Sequence, residues 1–209
     1  SPSNKLVYGI RLHSDWVDRF DWRDSYRLEQ GNMHLEEAAL QGSAGNRVDG
    51  AEAFAGFLRA TWQRGALTVT PGVRTEQMRF YRTEFEKDDL ERRNAPEQRT
   101  NEASAWLPGI GFNYTFDEDH HAFVGVHRGF IPPGSAPNTL PEISVNVEVG
   151  LRWSRLRSQG QVIAFHNAYN RLLGSDLTAS GGIGTGDLFN GGAARTMGIE
   201  WEWAGNLIP

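Results

Sequence analysis

Residues 143–154 read Ile-Ser-Val-Asn-Val-Glu-Val-Gly-Leu-Arg-Trp-Ser, so apolar residues alternate with polar residues or glycine along the whole segment. Successive side chains of a β-strand point to opposite faces, and this pattern predicts a strand with one apolar and one polar face. Shorter or less regular forms of the pattern recur at 5–13, 51–63, 66–80, 103–116, 121–130, 161–172 and 191–203. The sequence therefore predicts an all-β fold with about eight strands.

The links between these predicted strands alternate strictly in length. Short links fall at 64–65, 117–120 and 155–160, and long links fall at 14–50, 81–102, 131–142 and 173–190. Outer-membrane β-barrels have short periplasmic turns and long extracellular loops, whereas most connections in compact soluble domains have about 4–6 residues. The alternation favours antiparallel, up-and-down transmembrane β-barrel hairpins.

Charged residues indicate which face of such a sheet meets lipid. An arginine on the lipid face at mid-depth costs about 2–4 kcal/mol, whereas an aliphatic residue there costs nothing. The face that carries Glu148 and Arg152 is therefore predicted to line a watery lumen. The aliphatic residues of 145–151 should then form part of an exposed apolar band roughly 25 Å tall.

Composition excludes several classes of protein. The chain has 209 residues and a formal net charge of −5, so it offers no overall positive field for nucleic acid. It contains no cysteine, which excludes disulfides, thiolate metal sites and cysteine nucleophiles. The longest apolar run is far shorter than the roughly 18–20 residues that a membrane-spanning helix needs.

Chemical motifs are equally sparse. His120 and His121 are neighbours on a predicted strand boundary and should point to opposite faces, so no metal site is predicted. Residues 181–186 are rich in glycine, but no helix follows them, and a loop is predicted there rather than a dinucleotide site. No arrangement typical of a catalytic triad is present. We therefore expect no enzyme activity and no cofactor.

Five ordered segments resemble one protein family. They are Leu67–Arg74, Leu107–Tyr114, Val126–Pro133, Glu148–Arg152, and Asn190–Gly192 continued by Gly198–Glu200. In this order, and on alternating predicted strands, they resemble the TonB-dependent receptors of the bacterial outer membrane, and among them the ferric dicitrate transporter branch. The resemblance covers about residues 50–203 and rests on several short motifs together.

The resemblance implies a location in the outer membrane, contact with the lipid bilayer, and a ferric siderophore or ferric citrate as cargo. It also implies a plug domain that meets the energy-coupling TonB protein, inside a barrel of about 22 strands. Residues 1–209 contain eight predicted strands, no plug and no terminal aromatic residue. We therefore expect a partial barrel domain, part of a larger barrel, that does not transport anything alone.

An anionic iron chelate is best bound by arginine, because its guanidinium group pairs with carboxylates through two parallel hydrogen bonds. Arginines expected in the lumen or the loops are the candidate ligand-binding residues, namely Arg11, Arg79, Arg82 and Arg128. The alternative is that these arginines only solvate the lumen or pair with nearby carboxylates, namely Glu76, Glu148, Glu200 and Glu202.

Two other architectures remain open from the sequence. A soluble β-sandwich, serving as a binding or surface module, would agree with the negative mean hydropathy of −0.51. A complete small eight-stranded outer-membrane barrel would require strand 5–13 to pair with strand 191–203. The sandwich predicts a second sheet packed on the apolar face, and the small barrel predicts a closed sheet.

Overall fold

The computed structural model describes residues 4–177 and 186–205, so the glycine-rich segment at 181–185 lies outside the described residues. The described residues form strands joined by loops and turns. The strands are β1 (Lys5–Asp21), β2 (Ser25–Glu29), β3 (Asn32–Glu37), β4 (Gly45–Arg64), β5 (Leu67–Glu84), β6 (Glu97–Thr115), β7 (His120–Ile131), β8 (Glu142–Arg155), β9 (Ser158–Asn170), β10 (Leu173–Ser175), β11 (Leu188–Asn190) and β12 (Ala193–Gly205). In this part of the chain, no helix is long and apolar enough to cross a membrane.

Eight of the strands form one antiparallel sheet in the order β1-β4-β5-β6-β7-β8-β9-β12. All eight predicted strands are present in this sheet. Each of them pairs with the predicted strand that precedes or follows it in the chain, so the all-β, up-and-down prediction is confirmed. Two additional hairpins, β2-β3 and β10-β11, lie within links that were predicted to be loops. Their strands have only three to six residues each, which is too short for alternation to predict a strand.

Several strands are longer than alternation predicted. β1 continues to Asp21 and β5 to Glu84, and the connection between β5 and β6 shrinks to residues 85–96. These extensions lie at the end of the sheet where the long loops are, which we call the loop end; the opposite end is the turn end. A strand that rises beyond the bilayer meets water on both faces, so its sequence need not alternate.

The register confirms one continuous apolar face. A row of directly paired residues crosses five strands on this face, namely Phe112, Val124, Val149, Ala164 and Ile199. On the edge strand β1, Leu6, Tyr8, Ile10 and Leu12 are 60–78% exposed. From Leu6 to Leu12 the strand rises about 20 Å, and beyond Leu12 the same face carries Ser14 before Trp16.

The sheet is open, and this excludes both alternative architectures. Within the described residues, β1 pairs only with β4 and β12 only with β9, so the prediction of a small closed barrel is wrong. The other two sheets have two strands each and do not cover the apolar face, where Val149 remains 54% exposed. The β-sandwich prediction is therefore also wrong.

The sheet separates between β6 and β7 toward the loop end. Their pairing ends at Gly109 and His127, because the next residue of β6, Pro108, has no N–H to donate. Arg128 extends its Nη1 to within 3.5 Å of the Trp106 carbonyl oxygen, close to where the ladder bond is missing. No register shift accompanies Pro108 on its other side, where β5 and β6 pair continuously.

A loop fills the space that this separation creates. Residues 132–141 fold onto the polar face of β6, where the Asn101 amide Nδ2 donates to the carbonyl oxygens of Gly134 at 3.0 Å and Thr139 at 2.9 Å. A cluster of buried residues lies in or beside this loop, namely Pro133, Ser135, Ala136, Thr139, Glu142 and Ser144. The densest packing is thus on the polar face at the loop end.

Candidate functional site

The strand register places the four candidate arginines on two different faces. Arg11 and Arg82 lie on the polar face, as predicted, whereas Arg79 and Arg128 share the face that carries the apolar band. Arg79 lies near the loop end, where its Nε is 4.0 Å from Glu102. Strand extension beyond the bilayer explains this placement, because there the outer face is polar as well. Of the four candidates, only Arg11 and Arg82 lie on the face that is predicted to line a lumen.

Arg11 begins a short hydrogen-bonded chain along β1. Its Nη2 is 2.7 Å from Nδ1 of His13, whose Nε2 is 3.1 Å from the Asp15 carboxylate. These side chains form one wall of a groove of about 280 Å³ on the polar face. The groove has small side chains along its floor and a loop residue above it, namely Ala51, Ala53, Ala55 and Pro132.

The opposite wall of this groove belongs to β5. Arg74 Nε donates to the Glu76 carboxylate at 2.6 Å, and Glu76 is only 8% exposed. Glu76 and Met78 are both buried, and the residues directly opposite them on β4 and β6 are alanines. The carboxylate of Glu76 is therefore paired with Arg74 rather than with any of the four candidate arginines.

Nearer the loop end, the polar face carries a dense network of ion pairs. Arg82 Nε donates to Asp49 at 2.5 Å, and Arg47 donates to the other oxygen of the same carboxylate at 3.0 Å. On the next strand, Arg99 Nη2 donates to Glu84 at 3.0 Å. The side chains of Arg82 and Arg99 are only 12% and 19% exposed, respectively. Burial strengthens such contacts relative to surface ion pairs.

Asp187 joins the two guanidinium groups of this network. One carboxylate oxygen accepts from Arg82 Nη1 at 3.0 Å, and the other accepts from Arg99 Nη1 at 2.6 Å. Asp187 lies 88 residues beyond Arg99 in the chain, directly before β11. Sequence reasoning identified Arg82 but missed Arg99 and Asp187, because no local pattern indicates which loop residue will reach these strands.

The remaining predicted partners make other contacts. Arg152 donates to Oε1 of Gln161, and Gln161 in turn donates to Glu202 at 2.9 Å, so this part of the polar face is connected through an amide.

In the turn before β7, Nδ1 of His120 lies 2.8 Å from Asp117, and this contact holds the pKa of the Asp117 carboxyl below its usual value. Among the described residues, no group of three or more potential metal ligands occurs.

Loop 85–96 is held over the loop ends of β1 and β4 by Arg92. Its guanidinium group makes two hydrogen bonds to Asp18, at 2.6 and 3.0 Å, and lies over the rings of Phe20 and Phe85. The Asp18 carboxylate raises the pKa of Arg92. Within the loop, the backbone N–H groups of residues 93 and 94 donate to Asp89 and lower the pKa of its carboxyl. The loop is thus tied down by charge-assisted contacts.

An open antiparallel sheet with one exposed apolar face and one charged face is the wall of a transmembrane β-barrel. Residues 2–207 match the family described as TonB dependent receptor-like, beta-barrel. The chain belongs to this family, which is found in the bacterial outer membrane. The family consists of receptors rather than enzymes, in agreement with the expectation that the chain has no catalytic function.

Solved structures of three transporters or receptors share the fold at low sequence identity. The unliganded ferric citrate transporter FecA is 17% identical with a TM-score of 0.68, over 97% of this chain and 29% of that chain. The siderophore receptor PiuA from Acinetobacter baumannii is 11% identical with a TM-score of 0.72, over 99% and 34%. The copper transporter OprC is 12% identical with a TM-score of 0.63, over 98% and 32%.

The chain therefore spans about a third of the length of these solved structures. Comparison with curated proteins found no match.

Proposed function

We propose that residues 1–209 form a partial barrel domain, without a plug domain, of a receptor that takes up ferric chelates across the outer membrane. The observation that supports this most directly is the division of one eight-stranded sheet into an exposed apolar face and an arginine-bearing polar face. The first face suits lipid, and the second suits a wet lumen through which an anionic cargo passes.

The open edges of the sheet support the assignment to a larger barrel. The outer edges of β1 and β12 carry long rows of backbone N–H and C=O groups, and within the described residues these strands have one partner each. In lipid an unpaired backbone group costs several kcal/mol, so a spanning sheet has to close. We propose that further strands of the same receptor complete the barrel. The eight strands alone would not transport.

The cargo in this proposal is a ferric siderophore or ferric citrate, taken up with energy delivered by TonB to a plug outside these residues. FecA and PiuA are named for ferric citrate and a siderophore, respectively, whereas OprC is named for copper. Arg11 and Arg82 are the predicted contacts that face the lumen. Arg79 and Arg128 would not meet a cargo inside the barrel, because they lie on the other face.

Uptake by the intact receptor tests this function. A strain that lacks its other iron receptors would be supplied with the receptor and with radioactive iron as citrate complex or as siderophore complex. We expect uptake of at least one iron complex that disappears when TonB is absent. Uptake of copper instead, or accumulation of iron that is independent of TonB, would refute the proposal.

Variants of the candidate arginines form a matched set for the same assay. Arg82→Gln removes a guanidinium group from the polar face, and Arg79→Gln removes one at a neighbouring level of β5 on the other face. We expect the first change to raise the cargo concentration needed for half-maximal uptake and the second to leave it unchanged. Equal effects of both changes would contradict a role for the polar face in cargo binding.

A further inference from the structure

We propose that Arg82 and Arg99 form a binding site for a carboxylate of the cargo, and that Asp187 occupies this site in the structure as an internal competitor. The inference rests on the proposed function and adds to it where the cargo binds and which chemical group of the cargo is bound. A polycarboxylate chelate is the class of ligand that such a site would take.

The geometry of Asp187 is that of a bound carboxylate. Its two oxygens are divided between guanidinium groups on two neighbouring strands, at 3.0 Å from Arg82 and 2.6 Å from Arg99. These are the distances of charge-assisted hydrogen bonds between a carboxylate and arginine. A free carboxylate can present the same two oxygens to the same two donors without any change in the strands.

The charges of the network favour an anion at this point. Asp49 and Glu84 contact the same arginines from the sheet itself, and Arg47 shares Asp49. Without Asp187, three arginines would face these two carboxylates. Glu97 is 3.9 Å from Arg99, but its side chain is 71% exposed, and an ion pair with so exposed a partner contributes little. A net positive charge in a partly buried position therefore remains for an incoming ligand.

Arg99 also has a donor that no group in the described part of the chain satisfies. Its Nε is buried and has no hydrogen-bond partner. An unpaired buried donor is destabilising, because it has lost its hydrogen bonds to water and gained none in the protein. Asp187 has already used both of its oxygens on other nitrogens, so it leaves this donor unsatisfied, whereas a ligand with several carboxylate oxygens could satisfy it too.

The element that carries Asp187 is small enough to move. Asp187 directly precedes β11, which pairs with β10 over only three residues on each strand. A two-stranded ladder of this size is marginally stable on its own. Besides the Asp187 ion pairs, hydrogen bonds join this hairpin to the loop end. The Thr139 hydroxyl donates to the Leu188 carbonyl at 3.0 Å, Asn190 bonds to Leu140, and the Leu173 N–H donates to Glu142 at 3.0 Å. Replacement of Asp187 by a ligand therefore leaves the eight-stranded sheet intact.

Binding measurements on the intact receptor in detergent micelles test the inference, with iron-free citrate, ferric citrate and inorganic phosphate as probes. Asp187→Ala removes the competitor, and we expect it to tighten citrate binding roughly tenfold. Arg99→Gln removes one donor pair, and we expect it to weaken citrate binding roughly tenfold or more. Arg99→Lys keeps the charge but loses the planar fork, and it should also weaken binding.

Two controls use the other face of the same strands. Glu102→Ala and Arg79→Gln remove a carboxylate and a guanidinium group that lie on the apolar-band face, and neither should change citrate binding. Circular dichroism of each variant checks that the barrel is folded. Unchanged affinity in Asp187→Ala, or a loss of affinity equal to that of Arg99→Gln, would overturn the competitor role. Phosphate binding that depends equally on these residues would overturn the assignment to carboxylates.

The outcomes separate this inference from the proposed function. A receptor that transports iron normally with Arg99→Gln would retain the function and refute the site. A receptor that binds citrate through Arg99 but takes up no iron with any complex would retain the site and refute the function.

Discussion

The division of the sheet into two faces makes a quantitative prediction about Val149. This residue lies near the middle of β8, seven residues from Glu142 and six from Arg155, and belongs to the central row of the apolar face. At about 3.4 Å per residue and a tilt near 40°, Val149 lies about 18 Å from the Glu142 end and about 16 Å from the Arg155 end of the strand, measured along the membrane normal. It should therefore lie close to the bilayer midplane.

Val149→Arg should accordingly destabilise the folded receptor by about 2–4 kcal/mol, the cost of an arginine on the lipid face at mid-depth. This corresponds to a decrease of roughly 30-fold to 1,000-fold in the folding equilibrium constant. The measurement is reversible unfolding of the receptor in lipid vesicles by guanidinium chloride, followed by tryptophan fluorescence. The change should appear in the midpoint, with the slope preserved.

Ile163→Arg is the matched control, because it makes the same kind of change at a similar depth on the polar face. Ile163 pairs with Gly150 on one side and Glu200 on the other, so a new guanidinium group would lie opposite a carboxylate. We expect a cost below about 1 kcal/mol, since cross-strand pairs of opposite charge are mildly stabilising. Equal costs for the two variants, or a larger cost for Ile163→Arg, would refute the assignment of the faces.

Three further predictions concern the loop end. Arg92→Ala should release loop 85–96, because it removes both hydrogen bonds to Asp18, and faster proteolysis of that loop in the intact receptor would show it. Asn101→Ala should cost about 1–3 kcal/mol of unfolding free energy by leaving two loop carbonyls without a donor, measurable by chemical denaturation. The lowered pKa of Asp89 means that its contribution to loop stability is present above its unfolded value of 3.8 and is lost as pH falls through the lower folded value. Protection of the loop amides from hydrogen exchange, measured relative to the intrinsic exchange rate at each pH, should therefore fall only below pH 3.8. Unchanged protection in acid would contradict this.

The sequence predicted the strands well because strand alternation is a local signal. In 143–154 the position of each residue, odd or even, determines which face of the sheet its side chain lies on. The same rule applied to each neighbouring strand predicts one apolar sheet face. Strand ends were predicted less well, since residues such as 14–21 continue the strand above the bilayer, where neither face needs to be apolar. The two small hairpins were missed because their strands have only three to six residues each.

The candidate site was predicted only in part. Arg11 lies on the polar face of β1, as its clearly alternating neighbours indicate. Arg79 and Arg128 are in phase with the apolar residues of β5 and β7, and the expectation that they face a lumen or lie in loops was wrong. The separation of β6 from β7 at Pro108 also required the structure. A proline in a strand indicates that one hydrogen bond of the sheet is missing. Whether the sheet bulges, continues or separates there depends on the neighbouring strands.

By itself, the sequence determined the number and order of the strands of the eight-stranded sheet, the end of that sheet that carries the long loops, and which of its faces is apolar. Each of these follows from the period of the side chains and from the cost of a charge in hydrocarbon, which act within one strand. Only the tertiary structure decided that Asp187 would lie between Arg82 and Arg99, 105 and 88 residues away. That contact depends on how a loop folds across strands that are distant in the chain, and no periodic pattern within a segment encodes it.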